Sequence, residues 1–434
     1  MSPLAAWCVP LAAILLALAG RGLNGGERRT LNTLLVAALL VRLAAVGALV
    51  VVNTPMHDDE SVGMLSGDEA YGLSRALRTR DVMTNAPVTS YDYFVASDEY
   101  GRNSYITLLT GLQVLFGPTP YSMRLLNMLL FMTAAVLLFR ASRSAFGSLP
   151  AFVGLTVMLF LPTLFYWSIS LLKEPLYLLG TSMVLTGCVG MASAPESAWR
   201  GRMLYAFTAL AGLAIVRDLR PGAVPLAVLG IASGLAILLY FSLSLATRLA
   251  VAVAAVLVFF AVVSQPAAQQ RILPALESTA KTHAGNVFTV GHSYKLLDEG
   301  FYFSPAPAAS SQLTLTTGEA ARYVIRAAAS FLAVPLPWQL AATRELVYLP
   351  EQLVWYVMIA LLPAGLVAAW RRDPAAAALF AGYALPTAAA LALTNGNIGT
   401  LLRLRGIVIP YVLWLSAVGF CAALQRMAAR ATTP

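Results

Sequence analysis

The sequence predicts an all-α polytopic membrane protein, with about eleven transmembrane helices and interfacial helices in two large external loops. Three observations carry that reading. Hydrophobic residues make up 59% of the chain and charged ones 11%, with a mean hydropathy of +0.74, a balance foreign to soluble or disordered chains. The apolar residues fall in runs of roughly 17 to 25, the length that crosses about 30 Å of hydrocarbon. Basic residues punctuate those runs, so the net charge of +9 writes membrane topology and does not mark a nucleic-acid surface. Cys8, Cys188 and Cys421 all lie inside apolar runs, which offers neither a disulfide framework nor a metal-binding Cys pair.

In chain order the expected spans cover 4–20, 31–52, 122–139, 149–171, 175–192, 203–217, 222–243, 247–264, 351–370, 374–393 and 405–424. The first ends in Ala17-Leu18-Ala19, which resembles a signal-peptide cleavage site, but no basic segment precedes it and it reads as a retained helix. Residues 104–116 are apolar but too few; thirteen helical residues reach only about 20 Å. They read as an interfacial helix ended by Gly117-Pro118-Thr119-Pro120. The remainder forms one integral membrane domain over 1–434 with external loops at 53–121 and 265–350. In the second loop, residues 304–310 read as irregular chain, Glu319 to Leu332 as a helix, and Pro335-Leu336-Pro337-Trp338 as its stop.

With these spans, Arg21, Arg28, Arg29, Arg140, Arg143, Arg200, Arg202, Arg248, Arg371, Arg372, Arg426 and Arg430 all fall in connections on one side, against only Glu27, Glu196 and Asp373. That side is the cytoplasm by the positive-inside rule. The N-terminus is then external and the C-terminus cytoplasmic; the excess of Arg over Lys and the abundant Ala are the reason to expect a bacterial inner (plasma) membrane.

The external stretch 53–121 holds nine of the twenty carboxylates, among them Asp58, Asp59, Glu60, Asp68 and Glu69. Ser66-Gly67-Asp68-Glu69 followed by Ala70, Leu73 and Leu77 reads as a capping box, in which Ser66 caps and Glu69 reaches back. Asp68 falls in the first turn, where unpaired N–H groups and the helix dipole favour its anion. An anionic carboxylate at the membrane surface can take a proton from a hydroxyl. The apolar positions 70, 73 and 77 are expected to lay this helix on the bilayer. Asp58-Asp59-Glu60 is a rival source of the base.

Cations break the cytoplasmic pattern at external helix ends: Arg124, Lys173, Arg217, Arg220, Arg403 and Arg405. Each has a bland reading as a side chain snorkelling to the interface. Together, on the side of Asp68, they can also grip a phosphate. Arg42, inside the second span, reads as snorkelling or paired within the bundle. His57 with Asp58 and Asp59, and His283 with His292, lack tight ligand spacing, so no metal and no cofactor is assigned and solvated loop charges are the default.

The ordered set Gly67-Asp68-Glu69-Ala70-Tyr71, Leu115-Phe116-Gly117, Arg124-Leu125-Leu126-Asn127 and Trp167-Ser168 through Lys173-Glu174 resembles the type C (GT-C) integral membrane glycosyltransferases. The nearest branch is the bacterial one similar to protein O-mannosyltransferases and lipid A aminoarabinose transferases. The resemblance covers about residues 50–225, and an additional helix precedes the family's usual first one. It implies sugar transfer from a polyprenyl-phosphate donor, with inversion, to a lipid, glycan or protein acceptor. On this chain it implies Asp68 as the base and basic residues such as Arg124, Lys173, Arg217, Arg220, Arg403 or Arg405 on the departing phosphate. Glu69 is the second catalytic candidate, and Asp58, Asp59, Tyr71 and Glu174 complete the substrate-binding candidates; the Asp58-Asp59-Glu60 cluster departs from the family pattern. A polysaccharide polymerase or ligase and a non-catalytic assembly subunit are the competing readings. A transporter is disfavoured because the polar residues gather in external loops and no matched halves are visible.

Overall fold

The computed structural model describes residues 3–53, 67–99, 102–195, 197–289, 292–298, 301–302, 315–339, 346 and 348–431. His57, Asp58, Asp59, Glu60 and Ser66 lie outside them, as do residues 304–310. Every described element is helical apart from one isolated bridge pairing Ser293 with Asn397. Eight helices are long and apolar enough to cross a membrane, nine if one bent pair counts as a single span. This is a multi-pass helical membrane protein. The two further spans expected from the sequence correspond to a 17-residue helix at Pro3–Ala19 and to Trp199–Val216, whose Arg200 and Arg202 hold down its average hydropathy.

The chain divides into two compact units, Met1–Val228 and Leu229–Pro434. The first contains α1 (Pro3–Ala19), α2 (Gly25–Asn53), α3 (Gly67–Met83), α4 (Ser90–Ser97), α5 (Ser104–Phe116), α6 (Pro120–Phe146), α7 (Ser148–Phe160), α8 (Pro162–Ile169), α9 (Glu174–Ser193) and α10 (Trp199–Val216). Its centre is α6, which packs against α9, α7, α1, α8 and α2. Helix α5 keeps the bounds expected of the interfacial segment; Gly117, at φ +76°, ends it, and Pro120 opens α6 where a missing N–H costs nothing.

One expectation is corrected here. Residues 149–171 do not form one straight span: α7 and α8 meet at a 59° bend. Leu161 is extended and Pro162 brings no N–H, so the helical ladder stops. In a membrane the freed carbonyls need other donors. Arg42 supplies one, giving Nη2 to Leu159 O at 2.7 Å and Nε to Ser168 Oγ at 2.7 Å, with Phe131 and Phe165 rings 5.0 and 4.9 Å from its guanidinium carbon. Fully buried, it pairs within the bundle and does not snorkel.

Helices α9 and α10 approach through glycine. A methyl at Gly187 would stand 2.6 Å from Tyr205 O, and one at Gly180 would stand 2.6 Å from Val216 Cγ1. Small residues let backbones close in where lipid supplies no hydrophobic drive for helices to associate.

The second unit contains most of α11 (Ala223–Ser242), then α12 (Leu245–Val263), α13 (Pro266–Val287), α14 (Thr317–Ala333), α15 (Leu349–Arg372), α16 (Pro374–Thr394), α17 (Ile398–Arg405) and α18 (Ile409–Ala431). Beyond Arg248 in its first turn, helix α12 is apolar yet has no buried residue, as a lipid-facing span should. Helices α15 and α18 pack closely through Gly365 and Gly419. Residues 266–287, expected as loop, form the 22-residue α13 instead. Helix α14 appears where its pattern predicts it, started by a Thr316/Glu319 capping box.

Candidate functional site

Between α8 and α9 the chain leaves helical geometry for a few residues, and its backbone groups are held by side chains from elsewhere. Arg124 Nη1 donates to Ile169 O at 2.7 Å. Asn127 Nδ2 donates to Ser170 O at 2.7 Å and Leu172 O at 3.0 Å. The Leu171 N–H donates to Glu69 Oε1 at 2.7 Å. Helices α3 and α6 therefore clasp one short segment, and Arg124 Nη2 closes the ring on Glu69 Oε1 at 2.7 Å.

The reason lies in the register of α3. Glu69, Leu73 and Ala76 are spaced i, i+4, i+7, form one face and are buried. The helix packs on α5 and α4, and its buried face differs from the expected stripe of Ala70, Leu73 and Leu77 by about one position. A rotation of roughly 100° per residue separates Asp68 from its neighbour. Asp68 is exposed while Glu69 is fully buried. Of the two expected catalytic carboxylates, Glu69 is thus committed to the scaffold and Asp68 faces outward. Ser66, its expected capping partner, lies outside the described residues.

Tyr71, one turn from Asp68, is half exposed and accepts a hydrogen bond from Arg75 Nη1 at 2.8 Å. The buried Arg75 also donates to Asp98 O. Beneath the clasp, Tyr105 Oη accepts from Asn127 Nδ2 at 2.8 Å. Burial pushes its phenol far above the usual tyrosine range, with the charges of Glu174 and Glu69 adding to the rise and the Asn127 hydrogen bond opposing it.

The cations fall into two groups. Arg124 is buried against Glu69, and Arg220 Nη2 donates to Glu174 Oε1 at 2.6 Å, with its guanidinium 5.6 Å from the Tyr177 ring centre. Both are expected at a phosphate; in the structure each pairs with a carboxylate, as a desolvated charge needs a partner. Lys173 is half-buried and Arg217 exposed.

Arg403 and Arg405 belong to the second unit. Arg405 is buried there, giving Nη1 to Gln352 Oε1 at 2.9 Å and Nη2 to Phe331 O and Val334 O, with the Phe331 and Trp355 rings 5.4 and 5.1 Å away. It ties α17 to the end of α14. Arg403 is half-buried.

The chain matches no protein-family model, no curated protein and no solved structure. The site is therefore read from its own geometry. Among the described residues no group of three or more His, Cys, Asp or Glu stands together as a metal site would require. His57, Asp58 and Asp59 lie outside the described residues.

Sequence reasoning missed Tyr105, Arg75 and the role of Asn127. The signal for Asn127 was present: a polar side chain three residues after Arg124, on the same face of an apolar helix.

Proposed function

We propose that this chain is an inverting glycosyltransferase that moves a sugar from a polyprenyl-phosphate donor to a hydroxyl of a lipid, glycan or protein at the outer face of a bacterial plasma membrane. One observation carries the reading. Three of the four segments that produce the family resemblance, distant in sequence, meet at the 169–172 backbone with Asp68 exposed beside them.

In this reading the Asp68 carboxylate takes the acceptor hydroxyl proton as the oxygen attacks the anomeric carbon. The bond from that carbon to the phosphate oxygen breaks, and polyprenyl monophosphate leaves with the electron pair. Glu69 and Arg124 do not touch the reacting atoms; they fix the first turn of α3 against α6 and so set where Asp68 stands. Lys173, next to the clasp in sequence, and Arg217, three positions before the Arg220 that pairs with Glu174, are not buried and are assigned to the departing phosphate. Tyr71, on the exposed side of α3, is assigned to the acceptor.

The test is product release. Purified protein supplied with a polyprenyl-phosphate sugar and a bacterial envelope extract should release polyprenyl monophosphate and glycosylate a component of the extract. It should also bind polyprenyl monophosphate and not the neutral polyprenol. Equal binding of the two would remove the phosphate site, and binding without any release would favour a non-catalytic subunit.

A further inference from the structure

The second unit holds a hollow of about 610 Å³ whose walls are almost wholly apolar. Trp355, Ile359, Leu362, Leu366 and Trp370 line it at intervals of three and four residues, so it follows one face of α15 for about 22 Å. Facing them, Ala377, Ala378, Ala381, Ala384 and Ala388 of α16 leave the room that larger side chains would fill. The volume suits a small-molecule site, usually about 300 to 1,000 Å³, but the length and the lack of polar lining suit a hydrocarbon chain. Leu385 and Val367 on its rim are more than half exposed, which opens the hollow sideways.

The two ends differ in charge. At one, Phe331 and Trp355 close the hollow and Arg405 behind them is held by Gln352 and backbone carbonyls. At the other, Arg248 and Arg371 line the mouth. Arg248 sits 5.7 Å from the Phe241 ring, and Phe241 packs at 5.1 Å on Trp370, the neighbour of Arg371, so both cations share that mouth. Arg371 is exposed, and among the described residues no acceptor reaches the shielded Nε of Arg248.

We propose that this hollow binds an anionic phospholipid, one acyl chain lying along α15 and the phosphate between Arg248 and Arg371. The arginine pattern assigns that mouth to the cytoplasmic side, so the lipid comes from the inner leaflet. The site is separate from the one assigned to transfer and does not depend on it. Arginine suits a phosphate oxygen pair, and a chain in an apolar slot gives length selectivity that a bare basic patch lacks.

Trp370 is the reporter. The full-length protein, in vesicles of phosphatidylcholine with a small fraction of brominated phosphatidylglycerol, should lose fluorescence that the Trp370→Phe variant does not lose. The same fraction of brominated phosphatidylcholine should need about ten- to thirtyfold more lipid for equal Trp370-dependent quenching, the scale set by two basic residues at a headgroup. Arg248→Gln with Arg371→Gln should erase the preference, and Arg248→Lys with Arg371→Lys should keep most of it. Ala381→Leu, filling the slot, should remove the Trp370 signal with the charges intact. Equal quenching by the two lipids in the unsubstituted chain overturns the proposal. So does displacement of the brominated anionic lipid by an equimolar amount of polyprenyl monophosphate, which would make the hollow a donor site.

Discussion

At the residue scale the account turns on two adjacent carboxylates with opposite assignments. Glu69 and Arg124 are both fully buried and ion-paired at 2.7 Å. Replacing one partner leaves the other as an unpaired buried charge, which costs about 3 to 5 kcal/mol, whereas removing both together costs far less. Glu69→Gln and Arg124→Met should each lower thermal stability in detergent sharply, and the double variant should recover much of the loss. Additive losses would mean that the pair is not coupled. A capping box alone would make Glu69→Gln cost about 1 kcal/mol, so the single variant already separates the two roles. The sequence could place both carboxylates in the first turn of a helix but not choose which one faces inward, because stripes at 69/73/76 and 70/73/77 differ by one residue's rotation. The partner, 55 positions away in sequence, carries no local signal.

At the element scale, the closest approach in the first unit is α9 against α10. Gly187→Val would put a methyl group into the Tyr205 backbone, force the helices apart and strain the ion pair between Glu174, at the start of α9, and Arg220, in the connection after α10. We expect lost stability of about 1 to 3 kcal/mol, as for overpacking generally; limited proteolysis of the 194–199 connection should show it first. In the second unit, α13 carries His283, fully buried, its Nδ1–H donating to Asn395 O at 2.6 Å. Desolvation holds its imidazole down to about 4 from 6.5, the hydrogen bond to Asn395 opposing that shift. The unfolded chain therefore binds a proton that the folded one refuses between those values. Stability is intact above about pH 6.5 and falls as the pH drops towards 4, by roughly 2 kcal/mol at pH 5. Thermal unfolding at pH 7 and pH 5 measures this, and His283→Gln should flatten the difference. Hydropathy made most spans legible, and Gly117 and Pro120 marked their turns. Helix α13 is not legible as a span because Gln269, Gln270, Arg271, Glu277, Lys281 and His283 make it too polar to cross a membrane. The α7–α8 bend escaped although Pro162 was visible, because membrane helices often carry proline through when a neighbour satisfies the freed carbonyl, and that neighbour, Arg42, is distant in sequence.

At the scale of the whole molecule, orientation and the proposed activity are one question, since the transfer assigned to Asp68 requires it to stand at the face where a polyprenyl donor would be presented. In a chain without Cys8, Cys188 and Cys421, cysteine placed at Asp218 or His292, both exposed, should react on intact plasma membranes with an impermeant maleimide. Cysteine at Ser197 or Arg371, also exposed, should stay protected until the membrane is opened. The reverse pattern would invert the topology and detach the site from its proposed donor. The most direct measurement is the turnover of Asp68→Asn, which preserves shape and removes the base. General-base catalysis supplies about 10² to 10⁴-fold, so polyprenyl monophosphate release should fall by that factor while thermal stability and donor binding stay near those of the unsubstituted protein. Parallel Asp58→Asn and Asp59→Asn variants should retain release. Full activity in Asp68→Asn would contradict the assignment of Asp68 as the base, and loss confined to Asp58→Asn or Asp59→Asn would move that role to the rival cluster.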